Sequence, residues 1–148
     1  MRLSKKSRYG LRALVDLTVN SKTSHVALNC IAERNNISPQ YLEQVFASLR
    51  KAGIVKSIKG PQGGYFLADD AENITAAEIL EALDGSYWIE SEEITDITQQ
   101  TGILVAIQEL LIDEVNEKLD EVLKNLTLAD LEKHYLDNSE LDTDMYYI

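Results

Sequence analysis

Three glycines and a proline are concentrated in one short stretch of the chain, IKGPQGGYFL, at residues 58–67. Two runs of β-prone residues, 54–58 and 65–67, flank these glycines. The loop between them is longer than a two-residue hairpin turn and begins with Lys59. Because glycine lacks a Cβ, such a backbone can approach a phosphate or a narrow groove, and lysine supplies the charge that the minor groove attracts. The loop is therefore either an ordinary hairpin or a hairpin that contacts nucleic acid.

The charge of the chain is divided between its two halves. Residues 1–67 carry 11 Lys and Arg and 3 acids, a net charge of +8. Residues 68–148 carry 3 Lys and 22 acids, a net charge of −19, so the whole chain has a net charge of −11. The overall charge argues against a nucleic-acid partner, but the first half alone argues for one. The alternative is a polarised, solvated surface without a binding role.

Length and cysteine content limit the classes of protein that need consideration. A chain of 148 residues suits one domain, or a small domain with an extension, and is long enough to bury a core. No apolar run approaches 18 residues, so we expect no transmembrane helix and no membrane partner. Cys30 is the only cysteine, which excludes an internal disulfide and fits a reducing cytoplasm.

The first half has the pattern of a helix-turn-helix. Residues 5–20 and 27–35 place apolar residues at helical spacing. A third helix has a clear start, because Ser38 is a good N-cap and Pro39 occupies the first helical position. A tight turn at residues 35–37 joins the second helix to the third, as in a helix-turn-helix. A helical hairpin without a binding role is the alternative.

The third helix has an apolar face and a polar face. The apolar face points inward and consists of Leu42, Val45, Phe46 and Leu49. The outward face presents Gln40, Glu43, Gln44 and Arg50. Because a winged helix places a hairpin directly after its helix-turn-helix, we interpret the glycine loop as the wing of a DNA-binding domain at residues 1–85.

The second half begins with a short capped helix and a polar segment. Thr75 and Glu78 have the spacing of a capping box, and Gly85 is expected to end the helix that they start. Residues 86–101 are expected to form a loop or a frayed helix. The acids of this segment suit a solvated face better than a catalytic pair: Glu90, Glu92, Glu93 and Asp96.

A stripe of apolar residues predicts one long helix between residues 103 and 126. Since this helix has no obvious partner in its own domain, we assign its stripe to a homodimer interface. The proposed dimerisation residues are Ile103, Ile107, Leu110, Leu111, Val115, Leu119 and Val122. Packing of the stripe on the first half of the same chain is the alternative. Thr127 caps a final helix, so that residues 86–136 form a second unit and residues 137–148 an acidic tail.

Three stretches of the sequence, YGLRALVDL, IAERNNISPQYLEQVFASLRKAGIVKS and KGPQGGYFLA, resemble the Rrf-two family of bacterial winged-helix transcription regulators. The resemblance covers residues 1–68 and continues through ITAAEILEALDG at 74–85. It implies a mainly α fold with a small β-hairpin, and a homodimer on a pseudo-palindromic operator. It also implies a recognition helix in the major groove and a wing in the minor groove.

Carried over to this chain, the resemblance assigns the DNA-contacting residues. They are Ser38, Gln40, Tyr41, Glu43 and Gln44 on the helix, and Lys59, Gly60 and Pro61 in the wing. The family usually has arginine at the start of the wing. Lys59 lacks the planar fork of arginine, so we expect it to read groove width less strongly.

Cluster-binding members of the family carry three cysteines before the long helix, whereas GSYWIESEEITDITQQTG at residues 85–102 has none. Because an iron–sulfur cluster needs several thiolates, we predict no cofactor. Cys30 is predicted to be a small buried hydrophobe, with a redox switch as the alternative. His25 and His134 lack partners at ligand spacing, so no metal site is predicted, and no nucleophile–base pattern indicates an enzyme.

The end of the chain indicates a branch of the family. A cluster-free chain ending in Tyr147 and Ile148 is similar to the cysteine-metabolism repressors, which also end in a short aromatic stretch and isoleucine. That similarity implies docking to cysteine synthase, whose active site accepts C-terminal isoleucine tails. Residues 137–144 look unable to pack, which predicts a free acidic linker; a tail folded onto the dimer interface is the alternative.

Two alternative functions are left open by the sequence. One is a cluster-free regulator that senses another small ligand or redox state, and the other is a protein-interaction module that retains the fold.

Overall fold

The computed structural model describes residues 2–93 and 101–146, with side chains up to residue 139. The first part contains α1 (Lys5–Asn20), α2 (Leu28–Asn35), α3 (Pro39–Lys51), β1 (Val55–Ile58), β2 (Gly64–Leu67), a 3₁₀ turn (Ala71–Asn73) and α4 (Ala76–Asp84). The second part contains α5 (Thr101–Ile107), a π-helical turn (Gln108–Ile112), α6 (Asp113–Leu123) and α7 (Leu128–Tyr146). The prediction of a mainly α fold with one β-hairpin is confirmed.

The helix starts predicted from the sequence are present as capping hydrogen bonds. The Ser38 side chain accepts a hydrogen bond from the Tyr41 N–H at 3.3 Å, with Pro39 in the first turn. The Thr75 side chain accepts from the Glu78 N–H at 3.2 Å. Each bond satisfies one of the backbone donors that a helix start leaves free, so these residues fix where α3 and α4 begin.

The core lies among α1, α2, α3 and α4. Its largest fully buried side chains are Phe46, Leu14, Leu17, Ile31, Leu42, Leu49, Ile79 and Leu128. Helices α1 and α4 approach closely at Gly10, where a Cβ would collide with Leu83. The inward face predicted for α3 is confirmed, because all four of its residues are fully buried.

The two strands form an antiparallel hairpin that is tied to the body of the domain. Val55 pairs with Leu67, and Ile58 pairs with Gly64. Outside the hairpin, Val26 pairs with Tyr65 through two backbone hydrogen bonds of 2.9 and 2.8 Å. The connection between α1 and α2 thus adds a one-residue third strand to the hairpin.

The long helix has an exposed side and a side that packs within the chain. Val115, Leu119 and Leu123 are half-buried. By contrast, Ile103 is 61% exposed and Leu110 79% exposed. The sequence did not predict the π-helical turn, which lies between α5 and α6.

Residues 86–93 have no regular secondary structure and are pinned to α6. Asp120 accepts hydrogen bonds from the Tyr87 hydroxyl at 2.6 Å and from the Trp88 indole N–H at 2.8 Å. The Asn116 amide accepts from the Ile89 N–H and donates to the Ile89 carbonyl. Burial, followed by the hydrogen bond to Asp120, raises the pKa of Tyr87 to about 12. Asp96 and residues 94–100 lie outside the described residues.

Residues 137–144, which were expected to form an acidic linker, have a helical backbone, because α7 continues to Tyr146. Thr127 and Asp130 cap this helix reciprocally, and no glycine or proline interrupts it. Its first residue, Leu128, is fully buried in the core of the first part. The predicted docking residues Tyr147 and Ile148 lie outside the described residues.

None of the helices in the described ranges is long and apolar enough to cross a membrane.

Candidate nucleic-acid interface

Helix α3 presents a polar surface because its opposite face is committed to the core. Gln40, Glu43 and Gln44 are exposed on this surface. Ser38 is exposed at the N-cap, and Tyr41 is half-buried. Amide and carboxylate side chains on one exposed face are the groups that pair with base edges in the major groove. The five helix residues implied by the family resemblance therefore share one end of α3.

The turn between α2 and α3 is fixed by a left-handed residue and a buried anchor. Asn36 has φ 53° and ψ 48°, a conformation that asparagine adopts more readily than most residues. Next to it, Ile37 is buried and its N–H donates to the Ala32 carbonyl at 2.9 Å. The angle at which α3 leaves α2 is therefore set by the local sequence.

The tip of the wing is a closed turn of four residues. The Gly63 N–H donates to the Gly60 carbonyl at 2.9 Å. Gly60 has φ +113°, and a Cβ on Gly63 would collide with the Ile58 carbonyl oxygen. Both positions therefore need glycine. The turn leaves Lys59, Gly60 and Pro61 exposed together at its outer end.

His25 holds the inner side of the wing, a role that the sequence did not indicate. Its Nε2 atom lies 2.5 Å from the Gln62 carbonyl oxygen. Since a carbonyl oxygen only accepts, Nε2 is the donor. Beside it, a Cβ on Gly64 would collide with the Val26 carbonyl oxygen and lie 2.9 Å from His25 Cδ2. A search for metal-ligand spacing overlooks this histidine, whose partner is a backbone atom distant in the sequence.

Side chains connect the wing directly to α3. The rings of Phe46 and Tyr65 meet edge to face with centroids 4.8 Å apart. The Arg50 guanidinium donates to the Ser57 hydroxyl at 3.4 Å. The outward face of α3 and the wing therefore belong to one packed body.

One acid of the basic half is neutralised inside the domain. Asp16 accepts hydrogen bonds from Arg34 at 2.9 and 2.6 Å and from the Asn35 amide at 3.0 Å. The hydrogen bond to Asp16 is the largest cause that raises the pKa of Arg34. This cluster joins α1 to α2.

Cys30 lies at the surface, so the prediction that it is a small buried hydrophobe is wrong. The inward positions of α2 are occupied by Ile31 and Ala32, which turns the preceding residue toward solvent. The chain has no second cysteine. In the part of the chain that the structure describes, no group of three His, Cys, Asp or Glu could hold a metal ion.

Residues 3–134 match the family model of Rrf2, described as an iron-dependent transcriptional regulator. The chain belongs to the Rrf2 (Rrf-two) family. A transcriptional regulator, IscR from Klebsiella pneumoniae (strain 342), is 40% identical over 134 residues, which cover 88% of this chain and 79% of that protein. An Rrf2 chain is a DNA-binding transcriptional regulator, and the relatives found are regulators rather than enzymes.

Solved structures confirm the fold. CymR (YrzC), the global cysteine regulator of B. subtilis, superposes with a TM-score of 0.75 at 35% identity, covering 90% of this chain and 98% of that one. IscR from T. potens gives a TM-score of 0.67 at 36% identity, covering 91% and 88%. This Rrf2 chain is thus similar to both CymR and IscR.

The closed turn of the wing generates a testable expectation. Gly63→Ala should open the turn, because its new Cβ would collide with the Ile58 carbonyl, and should weaken binding to duplex DNA about tenfold, equivalent to roughly 1.4 kcal/mol. Gly102→Ala on α5 is the matched control, since its Cβ would meet nothing within 4 Å. Fluorescence anisotropy with a labelled duplex measures both variants. Equal affinities for the Gly63 variant and the unmodified protein would show that the wing does not contact DNA.

Proposed function

We propose that this Rrf2 regulator is a homodimer that binds a pseudo-palindromic double-stranded operator without an iron–sulfur cluster, and that it represses genes of cysteine or sulfur metabolism. One observation carries the DNA-binding part. The exposed polar face of α3 and the exposed wing tip sit on a single packed body within the half of the chain that has a net charge of +8. That arrangement suits simultaneous contact with two adjacent grooves.

The two parts of this surface have different chemistry and therefore different roles. Gln40, Glu43 and Gln44 can exchange hydrogen bonds with base edges, which differ between base pairs in the major groove. Lys59 at the wing tip supplies a charge without base-specific geometry. Gly60 and Pro61 allow the backbone beside it to come close to the DNA. Helix α3 is thus the specificity element and the wing the affinity element.

The exposed apolar side of the long helix supports the homodimer. Four of the proposed dimerisation residues form its most open part: Ile103, Leu110, Leu111 and Val122, which are 61%, 79%, 55% and 62% exposed. Exposed apolar area of this kind on a helix is typical of an interface. A dimer would place two α3 helices about one turn of DNA apart, roughly 34–36 Å.

The donor chemistry of the chain does not fit an iron–sulfur cluster, although the family description includes iron. Clusters are held by several thiolates, and this chain has one cysteine, on the surface of α2. Segment 86–93, ahead of the long helix, offers carboxylates, an indole and a phenol. Asp120 and Asn116 already engage three residues of this segment.

The similarity to CymR, named as a global cysteine regulator, supports the proposal that this chain regulates cysteine metabolism. A redox-responsive regulator is the second candidate function, because the thiol of Cys30 is exposed. A protein-interaction module that retains the fold is the third possibility. That module would leave genomic DNA fragments unshifted in a mobility assay, whereas both regulators would shift the fragment that carries the operator.

Substitutions on α3 and on the wing should affect DNA binding differently. Lys59→Ala should weaken binding on every sequence. The negative slope of log affinity against log salt should become less steep by about 0.9 per chain, as expected for one lost phosphate contact. Glu43→Ala should instead change which sequences are bound, because a carboxylate accepts from cytosine N4 and repels other base edges. Selection from a random duplex library, followed by salt titration, measures both effects. If both variants lost affinity equally on every sequence, the division between helix and wing would be incorrect.

Purification under anaerobic conditions tests the proposed absence of a cluster. The protein should be colourless and contain no stoichiometric iron or sulfide, because one thiol per chain cannot hold a cluster. Metal analysis and visible absorption provide the measurement, with Cys30→Ala as the matched control that should give an identical spectrum. An iron–sulfur absorption band with at least two irons per chain would contradict the proposal.

The proposed partner, cysteine synthase, is tested at the end of the chain. Removing residues 145–148, or adding one residue after Ile148, should abolish binding to cysteine synthase in calorimetry and leave the stability of the dimer unchanged. The reason is that a terminal carboxylate and an isoleucine side chain can enter a pocket only at a free chain end. A melting temperature lowered by several degrees after truncation, together with no binding by the intact chain, would assign the tail a structural role.

A further inference from the structure

Two cations on α1 are stacked on tyrosine rings next to the recognition helix. The Lys5 ammonium lies 5.3 Å from the ring centroid of Tyr9 and 5.7 Å from that of Tyr41. The Arg12 guanidinium lies 5.0 Å from the Tyr9 centroid. The two rings meet edge to face at 5.7 Å. We call these four residues the α1 cation cluster.

The charges of this cluster are not cancelled by acids. Among the described residues, neither Lys5 nor Arg12 forms an ion pair. By contrast, Lys22 is paired with Glu132 at 2.8 Å. A tyrosine ring attracts a cation without neutralising it, so both side chains keep their charge and have N–H donors for an anion.

The cluster is held at a fixed position relative to α3. Tyr41 belongs to the first turn of α3, where Ser38 caps the helix. The Lys6 ammonium donates to the Ser48 hydroxyl at 2.9 Å, which joins the same end of α1 to the last turn of α3. Both Lys5 and Arg12 are exposed. Lys5 therefore lies beside the N-terminal end of the helix that carries the proposed base-reading side chains, and Arg12 lies on the Tyr9 ring that meets Tyr41.

We infer that Lys5 and Arg12 bind phosphates of the DNA backbone at the edge of the major groove that α3 enters. This inference rests on the DNA-binding function proposed above. At least half of protein–DNA hydrogen bonds go to phosphate and sugar, where they set the register of the protein on the duplex. Lys5 rests on both Tyr9 and Tyr41, and Arg12 rests on Tyr9, so two phosphate contacts from α1 would align α3 along the groove. The sequence did not indicate this site, because the proximity of Lys5 to Tyr41 depends on the fold.

Salt titration of binding to a random-sequence duplex tests this inference without knowledge of the operator, because phosphate contacts do not depend on the base sequence. A duplex of about 30 base pairs is long enough for two half-sites one helical turn apart and their flanks. Lys5→Gln and Arg12→Gln should each lose one phosphate contact, so the negative slope of log affinity against log salt should become less steep by about 0.9 per chain. Lys5→Arg should restore the slope. Lys22→Gln is the charge-matched control and should leave the slope unchanged, because its ammonium is paired with Glu132.

Unchanged slopes for both glutamine variants would overturn the inference, as would a loss of affinity that is accompanied by a lower melting temperature and an unchanged slope. The latter result would mean that the cations only stabilise the packing of α1 on α3. The proposed function fails separately: in that case the unmodified protein binds neither the random duplex nor genomic fragments. If the unmodified protein binds with a salt-dependent affinity and the glutamine variants have the same slope, the phosphate contacts of Lys5 and Arg12 are refuted and the proposed function is not.

Discussion

The proposed DNA-reading surface depends on Tyr65, because the wing, the connection between α1 and α2, and α3 meet there. Its backbone pairs with Val26 through two hydrogen bonds, and its ring packs against the fully buried Phe46 of α3. The wing is only four residues long on each strand, and an isolated two-stranded hairpin is marginally stable in water. Tyr65 therefore gives the hairpin the packing that it cannot provide for itself, and fixes its distance from α3.

This constraint explains why several neighbouring residues have little freedom. Gly64 must lack a side chain, since the Val26 carbonyl occupies the space beside it. His25 reaches the Gln62 carbonyl only because its neighbour Val26 is paired with Tyr65. A wing anchored at both its base and its tip pays little entropy when it binds, which is the benefit of a pre-organised interface.

The second part of the fold, α5 to α7, is attached to the first part through another contact. Thr75 and Thr127 pair across the start of α4 and the start of α7, and Leu128 enters the core beside them. Asn116 and Asp120 hold one side of the long helix between these points, whereas Ile103, Leu110, Leu111 and Val122 are exposed. Packing of these exposed residues against a second copy would therefore fix the relative orientation of two proposed reading surfaces.

Local sequence features predicted the fold more completely than the contacts of the site. Helix starts are predictable at Ser38, Thr75 and Thr127, because a cap depends on residues only three apart in the sequence. The role of His25 and the approach of Lys5 to Tyr41 depend on residues more than 30 positions apart, and no spacing rule contains them. The residue type of Cys30 predicts burial, whereas its position on α2, before the inward-facing Ile31 and Ala32, places it at the surface. The acidic composition of residues 137–144 predicts a linker, whereas α7 extends through them because no helix-breaking residue interrupts it.

Hydroxyl-radical footprinting of the protein on a bound genomic fragment tests most directly whether two joined copies read DNA through helix and wing together. A symmetric dimer predicts protected backbone on both strands in two patches about 10 base pairs apart, with protection extending into the minor groove outside each patch, where the wing would lie. A single protected patch, or two patches without minor-groove protection, would contradict a dimer whose α3 and wing act as one body.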